Sequence, residues 1–499
     1  MTDHLLFIDG GRVAAEGDAS YASTNPATGE PWTEVSAASI ADVDKAAQAA
    51  RTAFKEGPWA RMTPAERADI LDACAMAIFE AQDPLVMGEI MDSGATMRKG
   101  NMADIPATAQ TFQYYAQLLR EAPVEETFTE EVPVNSQNII RREPLGVIGA
   151  IIPFNFPLAA AAWKVAPAIA AGCSIILKPS PLTPVTALML AEVCTAAGVP
   201  PGVINVVTGP GHEIGAALVA HKYVDKIAFT GSTEIGRKVM AACAEHLKPI
   251  LLELGGKSPN IILEDANLDG AVPGSLFGTF FHGGQVCESG TRILVQRSIY
   301  TEFVEKFVEG AKAIVVGDPM DFNTTMGPLI SQAQLDRVEH YVALGKQNGA
   351  RLVFGGHRPE IEGGGYYHLP TIFADADNDM TVAREEVFGP VVVVIPFDTE
   401  EDALRMANDT CYGLGAAVWS RDIPKARAMA ERIEAGTVWI NDYHLLNPRF
   451  PFGGYKQSGF GRELGPQGLL EYQAIKHIHV GEPGGAEDKH YTSMLLESF

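Results

Sequence analysis

Two stretches of the chain combine a reactive side chain with an unusual density of glycine. Glu253 opens the stretch Glu-Leu-Gly-Gly-Lys-Ser-Pro, and Cys287 closes the stretch Phe-Phe-His-Gly-Gly-Gln-Val-Cys. A thiolate is a strong nucleophile and a carboxylate can act as a general base, so the two suffice for covalent catalysis. Glycine lets the backbone approach a substrate closely and present its N–H groups. The alternative is that Cys287 is a small buried apolar residue, as many free cysteines are.

Two other segments provide candidate sites for a nucleotide. Residues 229–236, Phe-Thr-Gly-Ser-Thr-Glu-Ile-Gly, follow a predicted strand and open a predicted helix, whose N-terminus could hold a pyrophosphate. The segment lacks the full G-x-G-x-x-G pattern, so a purely structural turn is an equal alternative. Lys178 ends an apolar strand, at the edge of the sheet where ligands of open α/β folds bind. A solvated strand end is the alternative for this lysine.

Alternating strands and helices must position these groups. Residues 40–120 are predicted to be helical, with a capped helix start at residues 63–66. From residue 145 short apolar strands alternate with helices, which predicts a doubly wound parallel sheet covered on both faces. Strands of this first series are predicted at 146–152, 174–177, 203–207, 226–229 and 250–254, and helices at 158–171, 183–197, 214–220 and 234–245. A second α/β series follows over 260–440, so we expect two α/β domains with the reactive groups near their junction.

Two segments stand apart from this alternation. Residues 126–142 alternate Thr, Val and Ile with polar residues between helical regions, which predicts a strand that leaves the main body. Residues 145–163 carry no charge and reach the length of a membrane span. Pro153, Asn155 and Pro157 interrupt them midway, so two short buried elements joined by a turn are the better interpretation.

The bulk composition excludes several classes of partner. The chain has 499 residues, 46% hydrophobic and 20% charged, and a formal net charge of −24. A charge of that sign repels nucleic acid and anionic membranes. The 6 cysteines have no CxxC spacing, which argues against a metal site and against a disulfide framework. With no apolar signal segment at the N-terminus, we expect a cytoplasmic protein.

Seven motifs in one order make the chain resemble the aldehyde dehydrogenase superfamily over almost its whole length. They are Pro153-Phe154-Asn155-Phe156-Pro157, Leu177-Lys178-Pro179, Phe229-Thr230-Gly231-Ser232, Glu253-Leu254-Gly255-Gly256-Lys257, Gly284-Gln285-Val286-Cys287, Glu385-Glu386-Val387-Phe388-Gly389-Pro390 and Pro451-Phe452-Gly453-Gly454-Tyr455-Lys456-Gln457-Ser458-Gly459. The resemblance implies oxidation of an aldehyde to a carboxylic acid with NAD or NADP, through a cysteine thiohemiacetal and a thioester.

The resemblance also implies the catalytic roles. Cys287 is expected to be the nucleophile, and Asn155 with the Cys287 backbone N–H to form the oxyanion hole. Glu253 is expected to activate the water that hydrolyses the thioester. Lys164 and Glu463 match a more distant pair associated with proton relay, for which a structural salt bridge is the alternative.

The cofactor residues follow from the same likeness. Lys178 is expected to bind the adenosine ribose, Ser232 the pyrophosphate and Glu386 the nicotinamide ribose, with Phe388 beside the nicotinamide. The full expected set is Ile151, Pro153, Phe154, Lys178, Ser180, Gly211, Phe229, Gly231, Ser232, Leu254, Glu386 and Phe388. Pro181 stands where NAD-preferring members often have a glutamate, so NADP is compatible, although NAD is favoured.

The substrate site is the least defined part of the prediction. The expected entrance residues are Phe112, Tyr115, Phe156, Trp163, Glu288 and the segment 443–450, which includes Tyr443 and Phe450. They suggest an apolar or aromatic tunnel. His282 replaces an asparagine that many members have five positions before the nucleophile. It could alter the pocket or the pKa of the thiol, or it could be a packed histidine.

The predicted whole is two Rossmann-like parallel-sheet domains and a small β arm. The dinucleotide-binding domain is expected at 1–122 and 145–255, the catalytic domain at 256–455, and the oligomerisation arm at 123–144 and 473–491. The resemblance implies a homodimer or homotetramer. Two alternatives are a dehydrogenase that passes the acyl group to coenzyme A and a non-catalytic binding protein on the same fold. Glu253 favours hydrolysis, because members that use coenzyme A generally lack it.

Overall fold

The computed structural model of the chain describes residues 4–121, 123–131, 135–210, 212–486, 489 and 491–495. Its strands are β1 Leu6–Ile8, β2 Gly11–Val13, β3 Ser20–Asn25, β4 Glu30–Ser36, β5 Glu125–Glu130, β6 Ser136–Pro144, β7 Val147–Ile151, β8 Ser174–Lys178, β9 Ile204–Val206, β10 Lys226–Thr230, β11 Ile250–Glu253, β12 Pro259–Ile262, β13 Arg292–Gln296, β14 Arg351–Phe354, β15 Thr371–Ala374, β16 Val391–Phe397, β17 Gly415–Trp419, β18 Thr437–Ile440, β19 Gly459–Phe460 and β20 Gln473–Gly481.

Helices connect and cover these strands. They are α1 Ile40–Lys55, α2 Pro64–Glu80, α3 Gln82–Ser93, α4 Met97–Lys99, α5 Ile105–Glu121, α6 Pro157–Ala171, α7 Val185–Ala196, α8 His212–Ala220, α9 Thr233–Glu245, α10 Leu268–Phe280, α11 Tyr300–Lys312, α12 Gln332–Gln347, α13 Thr381–Arg384, α14 Glu400–Asn408, α15 Ile423–Ala430, α16 Gly465–Leu470 and α17 Thr492–Leu495. Short 3₁₀ turns occur at Glu16–Asp18, Pro58–Arg61, Phe281–Gly284, Arg297–Ile299 and Lys456–Ser458, and a π-helical turn at Gly100–Asp104.

The first large sheet has the strand order β19-β11-β10-β7-β8-β9-β1-β2. Strands β7 to β11 run parallel, and the chain winds from β7 to β8 and β9 on one side and to β10 and β11 on the other. Successive residues of one strand enter different apolar cores: Ile148 and Ala150 pack into the core on one face, and Val147 into the core on the other. Burial on both faces explains why these strands are almost continuously apolar.

The second large sheet has the order β14-β15-β16-β13-β12-β17-β18 and is parallel except for β14. Ile261 and Ile262 again point into cores on opposite faces. The chain passes from the first sheet to the second through residues 254–258, which follow β11 and precede β12. An antiparallel pair, β3 and β4, and a separate antiparallel sheet of order β20-β6-β5 complete the described part of the chain.

The predicted fold class is confirmed, and the strands of the first series lie within two residues of their predicted bounds. The described parts of the isolated segment 126–142 are extended as predicted, but they form two paired strands, β5 and β6, rather than one. The edges of both sheets differ from the prediction, because β1, β2, β14 and β19 are antiparallel to their neighbours. These strands are short edge segments, so they lack the long apolar runs that mark the central strands.

The uncharged segment 145–163 divides as its prolines predict. It contains strand β7, an irregular turn and the first two turns of helix α6. Among the described residues, no helix combines the length and the apolar character that crossing a bilayer requires.

Candidate active site

A cavity of about 330 Å³ lies at the junction of the two large sheets. It brings together the three groups that the sequence singles out for catalysis, Cys287, Glu253 and Asn155. The remaining lining residues are Met102, Ala103, Asp104, Pro106, Ala107, Gln110, Pro153, Phe156, Ala159, Ala160, Trp163, Thr230, Phe281, Val286, Glu288, His444, Leu445, Leu446, Phe452 and Glu463. Most of this wall is apolar, so polar groups that face the cavity have few competing partners.

The Cys287 backbone is placed by a strained turn. His282, Gly283 and Gly284 have φ values of 50°, 63° and 70°, the left-handed region that histidine rarely adopts. A Cβ on Gly284 would lie 2.3 Å from the Gly389 carbonyl oxygen. A Cβ on Gly256 would lie 2.4 Å from the Cys287 carbonyl oxygen. Glycine is therefore required on both sides of the turn, which explains why the two glycine-dense stretches meet.

Asn155 follows the carboxyl end of β7 and is buried beside the nucleophile turn. Its side-chain amide nitrogen donates a hydrogen bond to the Gln285 carbonyl oxygen over 2.8 Å. This bond fixes the amide two residues before Cys287 in a buried position. A neutral donor held there is suited to stabilise an alkoxide without adding a charge that would need desolvation.

Glu253 is the last residue of β11 and is buried. Neither of its carboxylate oxygens has a hydrogen-bond partner among the described residues. Burial, and then the nearby charge of Glu463, raise the pKa of Glu253 well above its usual value. Gly453 leaves room for the carboxylate, since a Cβ there would lie 2.7 Å from Glu253 Oε1. An unpaired carboxylate with a raised pKa at a cavity wall has the properties of a general base.

Lys164 and Glu463 form a buried ion pair, with side chains exposed by 0% and 3%. Lys164 Nζ also donates to Thr230 Oγ1 over 2.8 Å. Thr230 is the register partner of Glu253 in neighbouring strands, and Glu463 raises the pKa of Glu253 through its charge. The pair therefore adjoins the candidate base, an arrangement compatible with both the proton-relay role and the structural one.

The thiol of Cys287 lies in an anionic environment. Its Sγ donates a hydrogen bond to Glu288 Oε2 over 3.1 Å, and Glu288 Oε1 accepts one from His444 Nδ1 over 3.0 Å. Burial, followed by the charge and hydrogen bond of Glu288 and the charges of Glu253 and Glu386, raises the pKa of Cys287 well above its usual value. The thiol is thus protonated in this arrangement.

Most candidate cofactor residues lie beyond the carboxyl ends of the first sheet's parallel strands. Ile151 pairs in register with Lys178 and with Phe229, so the ends of three neighbouring strands coincide. Burial lowers the pKa of Lys178 to about 8. The Ser232 hydroxyl caps helix α9 by accepting from the Ile235 N–H over 3.4 Å. The edge where the strand order reverses at β7 is where open α/β sheets bind ligands.

Two glycines let the backbone pack closely at this edge of the sheet. A Cβ on Gly231 would lie 2.7 Å from the Phe229 ring, and one on Gly236 would lie 2.5 Å from the Leu254 side chain. Glycine at both positions therefore lets helix α9 approach the sheet, and the chain can pass close to a bound group. Pro153, Phe154 and Ser180 lie in the adjoining loops, whereas Gly211 is outside the described residues.

Glu386 and Phe388 reach this edge from the second sheet's side. Glu386 Oε1 accepts a hydrogen bond from the Gly256 N–H over 3.0 Å, and burial raises its pKa to about 7. The Phe388 ring meets Phe154 edge-on at 5.6 Å between centroids, and its backbone φ is 60°. The two residues predicted to hold the nicotinamide end therefore contact Gly256, in the first glycine-dense stretch, and Phe154, in the loop after β7.

The predicted substrate residues divide into two groups. Phe156, Trp163 and Glu288 line the cavity. Tyr443 does not, because its buried hydroxyl donates to the Glu288 carbonyl oxygen over 3.0 Å and supports the wall from behind. Phe450 is 67% exposed and lies outside the lining. Phe112 and Tyr115, also expected at the entrance, are instead buried in the core of the first domain.

His282 is a packed side chain in this structure. Its buried ring lies 5.6 Å from the Phe156 ring, and burial and the Lys99 charge lower its pKa well below the usual value. Lys99 forms a buried ion pair with Asp104 over 2.8 Å and places its Nζ 4.1 Å from the centroid of the Phe156 ring. A neutral histidine and a compensated lysine therefore support the aromatic wall from behind.

Two parts of the cavity were not anticipated from the sequence. The π-helical turn Gly100–Asp104 and the start of α5 supply the wall from Met102 to Gln110. In the sequence this region has only a helical pattern, and no signal indicates the extra residue in its turn. His444 was included only within the broad segment 443–450, although a left-handed histidine beside a buried carboxylate is a marked feature.

Comparison with known proteins agrees with this arrangement. The aldehyde dehydrogenase family matches residues 13–478, so the chain belongs to that family and is an aldehyde-oxidising oxidoreductase. A betaine aldehyde dehydrogenase of Bacillus subtilis is 45% identical over 95% of this chain and 96% of its own length. The human mitochondrial aldehyde dehydrogenase is 42% identical over 96% of this chain and 92% of its own length.

Solved structures give the same result. A betaine aldehyde dehydrogenase from Staphylococcus aureus in complex with NAD+ has a TM-score of 0.94 and 40% identity, covering 97% of this chain and 96% of its own. An aldehyde dehydrogenase from Bacillus cereus, also in an NAD+ complex, has a TM-score of 0.93 and 44% identity, covering 96% of both chains. The predicted family and enzyme class are thereby confirmed.

Proposed function

We propose that the chain oxidises an aldehyde to a free carboxylic acid with NAD or NADP, using Cys287 as nucleophile. The observation that carries the proposal is that Cys287, Asn155 and Glu253 line one and the same cavity, beside the carboxyl edge of a doubly wound sheet. Attack of the Cys287 thiolate on the aldehyde carbon forms a thiohemiacetal alkoxide. The Asn155 amide and the Cys287 N–H stabilise that charge, and oxidation leaves a thioester on the sulfur.

Glu253 completes the reaction by taking a proton from water as the water attacks the thioester. Its carboxylate is unpaired and its pKa is raised, so it accepts a proton more readily than an ordinary carboxylate. Lys164 and Glu463 would carry that proton onward. The acid leaves, and the thiol is restored. The same base distinguishes this reaction from acyl transfer to coenzyme A, which needs no activated water.

The residues at the sheet edge fit a dinucleotide. Lys178 and Ser180 would hold the adenosine ribose, the helix N-terminus at Ser232 the pyrophosphate, and Glu386 the nicotinamide ribose. The glycine positions 231 and 236 leave the close approach that such a ligand requires. When bound, the nicotinamide supplies the hydride acceptor. NAD is the cofactor named with the two solved relatives, which supports NAD as the favoured cofactor here.

Replacing Pro181 with glutamate should separate the two cofactors. A carboxylate three residues after Lys178 would face the 2′-phosphate of NADP, and like charges placed together cost several kcal/mol. We expect kcat/KM for NADP to fall by about 10-fold or more, since about 1.4 kcal/mol corresponds to a factor of 10, with NAD affected little. Steady-state kinetics with both cofactors measure the ratio. The Pro181→Gln variant, which adds a similar side chain without charge, should leave that ratio near the wild-type value; an equal fall with both variants would contradict this assignment of the 2′ position.

We further propose a neutral, apolar aldehyde as the preferred substrate. The cavity wall is largely apolar and aromatic, and each lining carboxylate except Glu253 has a basic partner within 4 Å. Asp104 pairs with Lys99, Glu463 with Lys164 and Glu288 with His444. Apart from the base, each carboxylate of the described wall is thus engaged by a basic side chain and is not free to pair with an ammonium group.

A substrate panel tests this preference. Unbranched aliphatic aldehydes and benzaldehyde should have kcat/KM values about 10-fold or more above those of ammonium aldehydes, because an unpaired cation would lose hydration on entering an apolar wall. NADH formation with hexanal, benzaldehyde, betaine aldehyde and an acidic semialdehyde provides the comparison. A preference for betaine aldehyde would contradict the charge assignment, while acid production from any member would still support the oxidation itself.

The remaining proposals concern organisation. The first sheet and its helices, residues 1–122 and 145–255, would be the dinucleotide-binding domain, and residues 256–455 the catalytic domain. Strands β5, β6 and β20 would form the oligomerisation arm of a homodimer or homotetramer. The outer strands of that sheet carry exposed apolar side chains, including Phe128, Ile475 and Val480, and their outer edges pair with no other strand in the described part of the chain, which suits them to strand addition. We also propose a cytoplasmic location, because the spacing of the cysteines is typical of a reducing compartment.

A further inference from the structure

Glu288 and His444 form a buried pair that the proposed reaction leaves without a role. The Glu288 carboxylate contacts both the Cys287 sulfur, over 3.1 Å, and His444 Nδ1, over 3.0 Å. The Glu288 and His444 side chains are only 6% and 4% exposed. An ionised carboxylate can only accept hydrogen bonds, so the thiol and the imidazole must each donate to it. The sulfur is therefore tied to a fixed acceptor.

The position of His444 is costly for the fold. Its φ is 58°, in the left-handed region, and its Nε2 is buried without a hydrogen-bond partner among the described residues. Strain of this kind persists only where the surrounding structure enforces it, and it concentrates at functional sites. The rings of Phe277, Phe281 and Tyr443 enclose the imidazole, with centroids at 5.3, 6.0 and 4.9 Å. The enclosure fixes Nδ1 toward Glu288.

We propose that Glu288 and His444 form a latch that holds the Cys287 sulfur protonated and oriented in the resting enzyme. Glu288 is the positioning residue, and His444 fixes its carboxylate. The inference rests on the proposed role of Cys287 as nucleophile and adds a control on when that sulfur is reactive. The thiol must leave Glu288 before it can attack, so the latch protects it from alkylating and oxidising agents while the site is idle.

Electrostatics support the direction of this control. Burial acts to raise the pKa of Glu288, but its interactions with His444 and the hydrogen bond from Cys287 outweigh that effect and leave the pKa below its usual value. Glu288 thus stays ionised, and a carboxylate beside a thiol disfavours the thiolate. Glu253 and Glu386 reinforce the effect from the first sheet and from the loop after α13. Asp104 and Glu463 line the same cavity, but each is paired with a lysine.

The experiment measures the pH dependence of Cys287 alkylation by iodoacetamide, read by mass spectrometry of the peptide that contains Cys287. Separation by peptide is needed because Cys411 is an exposed thiol. In Glu288→Gln the amide keeps the size of the side chain and removes the charge. We expect the alkylation midpoint to fall by about 1–2 pH units, and the rate near neutral pH to rise about 10-fold or more. Glu288→Ala should move the midpoint in the same direction.

His444 is tested through its dependence on Glu288. His444→Leu should change the alkylation midpoint in the wild-type background and leave it unchanged in the Glu288→Gln background, because the imidazole acts through the carboxylate. His444→Asn, whose amide can donate a hydrogen bond from the position of Nδ1, should keep the alkylation midpoint at the wild-type value. An equal effect of His444→Leu in both backgrounds would mean that the imidazole acts on the sulfur directly, which would overturn the latch.

A matched control is available on the surface. His221 and Asp44 form another carboxylate–imidazole pair, over 3.0 Å, far along the chain from the thiol. Asp44→Asn should leave the Cys287 midpoint unchanged. An alkylation midpoint that is unchanged or raised in both Glu288→Gln and Glu288→Ala would overturn the inference. Alkylation is measured without turnover, so its outcome is independent of the proposed oxidation. The Cys287 and Glu253 variants test the oxidation itself.

Discussion

Replacing Cys287 with alanine should abolish aldehyde oxidation, with kcat/KM lowered by about 10⁴-fold or more. The thiol is the only group among the described lining residues that can form the carbon–sulfur bond on which both later steps depend, since the other polar side chains there are two amides, four carboxylates, a hydroxyl, an indole and an imidazole. NAD binding should remain nearly intact, because the residues assigned to the nucleotide lie at strand ends and in the adjoining loops and do not include the sulfur. Steady-state NADH formation measures the first effect and a cofactor titration the second.

Cys411→Ser provides the control for this experiment. Cys411 is the exposed thiol, and it does not line the cavity. Its replacement should leave oxidation at the wild-type level while removing the thiol most accessible to reagents. Turnover of Cys287→Ala at the wild-type rate would refute the nucleophile assignment, whereas loss of both turnover and NAD binding would indicate that the substitution had disturbed the fold around the turn at 282–284.

The parts of the fold that could be predicted are those where local chemistry decides the structure. Strands β7, β8, β10 and β11 are runs of Val, Ile, Leu and Ala buried on both faces, so their bounds follow from composition alone. The start of α2 was equally predictable, because Thr63 and Glu66 form the reciprocal cap that their spacing indicates. Glu253 and Lys178 end such strands, and their positions were fixed with them.

The parts that could not be predicted depend on contacts between distant segments. The pair of Glu288 and His444 joins residues 156 positions apart, and nothing near either residue indicates the other. The wall from Met102 to Gln110 requires a π-helical turn that the helical pattern conceals. Phe450 belongs to the segment 443–450 that was predicted to line the entrance, but its side chain is exposed. His444, Leu445 and Leu446 line the cavity instead. Residue type alone suggested which side chains could line the cavity, and the tertiary structure was needed to identify those that do.

Replacing Glu253 with glutamine should slow hydrolysis of the thioester while leaving its formation largely intact. An amide cannot take a proton from the attacking water, and loss of a positioned general base typically lowers a rate by about 10²–10⁴-fold. We therefore expect a pre-steady-state burst of NADH close to one equivalent per site, followed by a steady state reduced by about that factor. Stopped-flow absorbance at the NADH band measures both phases, and mass spectrometry should find the acyl group on Cys287.

The pH dependence gives this experiment a second readout. Because burial raises the pKa of Glu253, its basic form increases only as the pH rises through that pKa, so the wild-type hydrolytic phase should accelerate with pH. The acceleration should disappear in Glu253→Gln. Glu89 is a matched buried carboxylate whose pKa is raised to about 8, and it does not line the cavity, so Glu89→Gln should keep the wild-type ratio of burst to steady state. Equal loss of burst and steady state in Glu253→Gln would contradict a dedicated hydrolytic base, and rescue of turnover by coenzyme A would favour the acyl-transferring alternative.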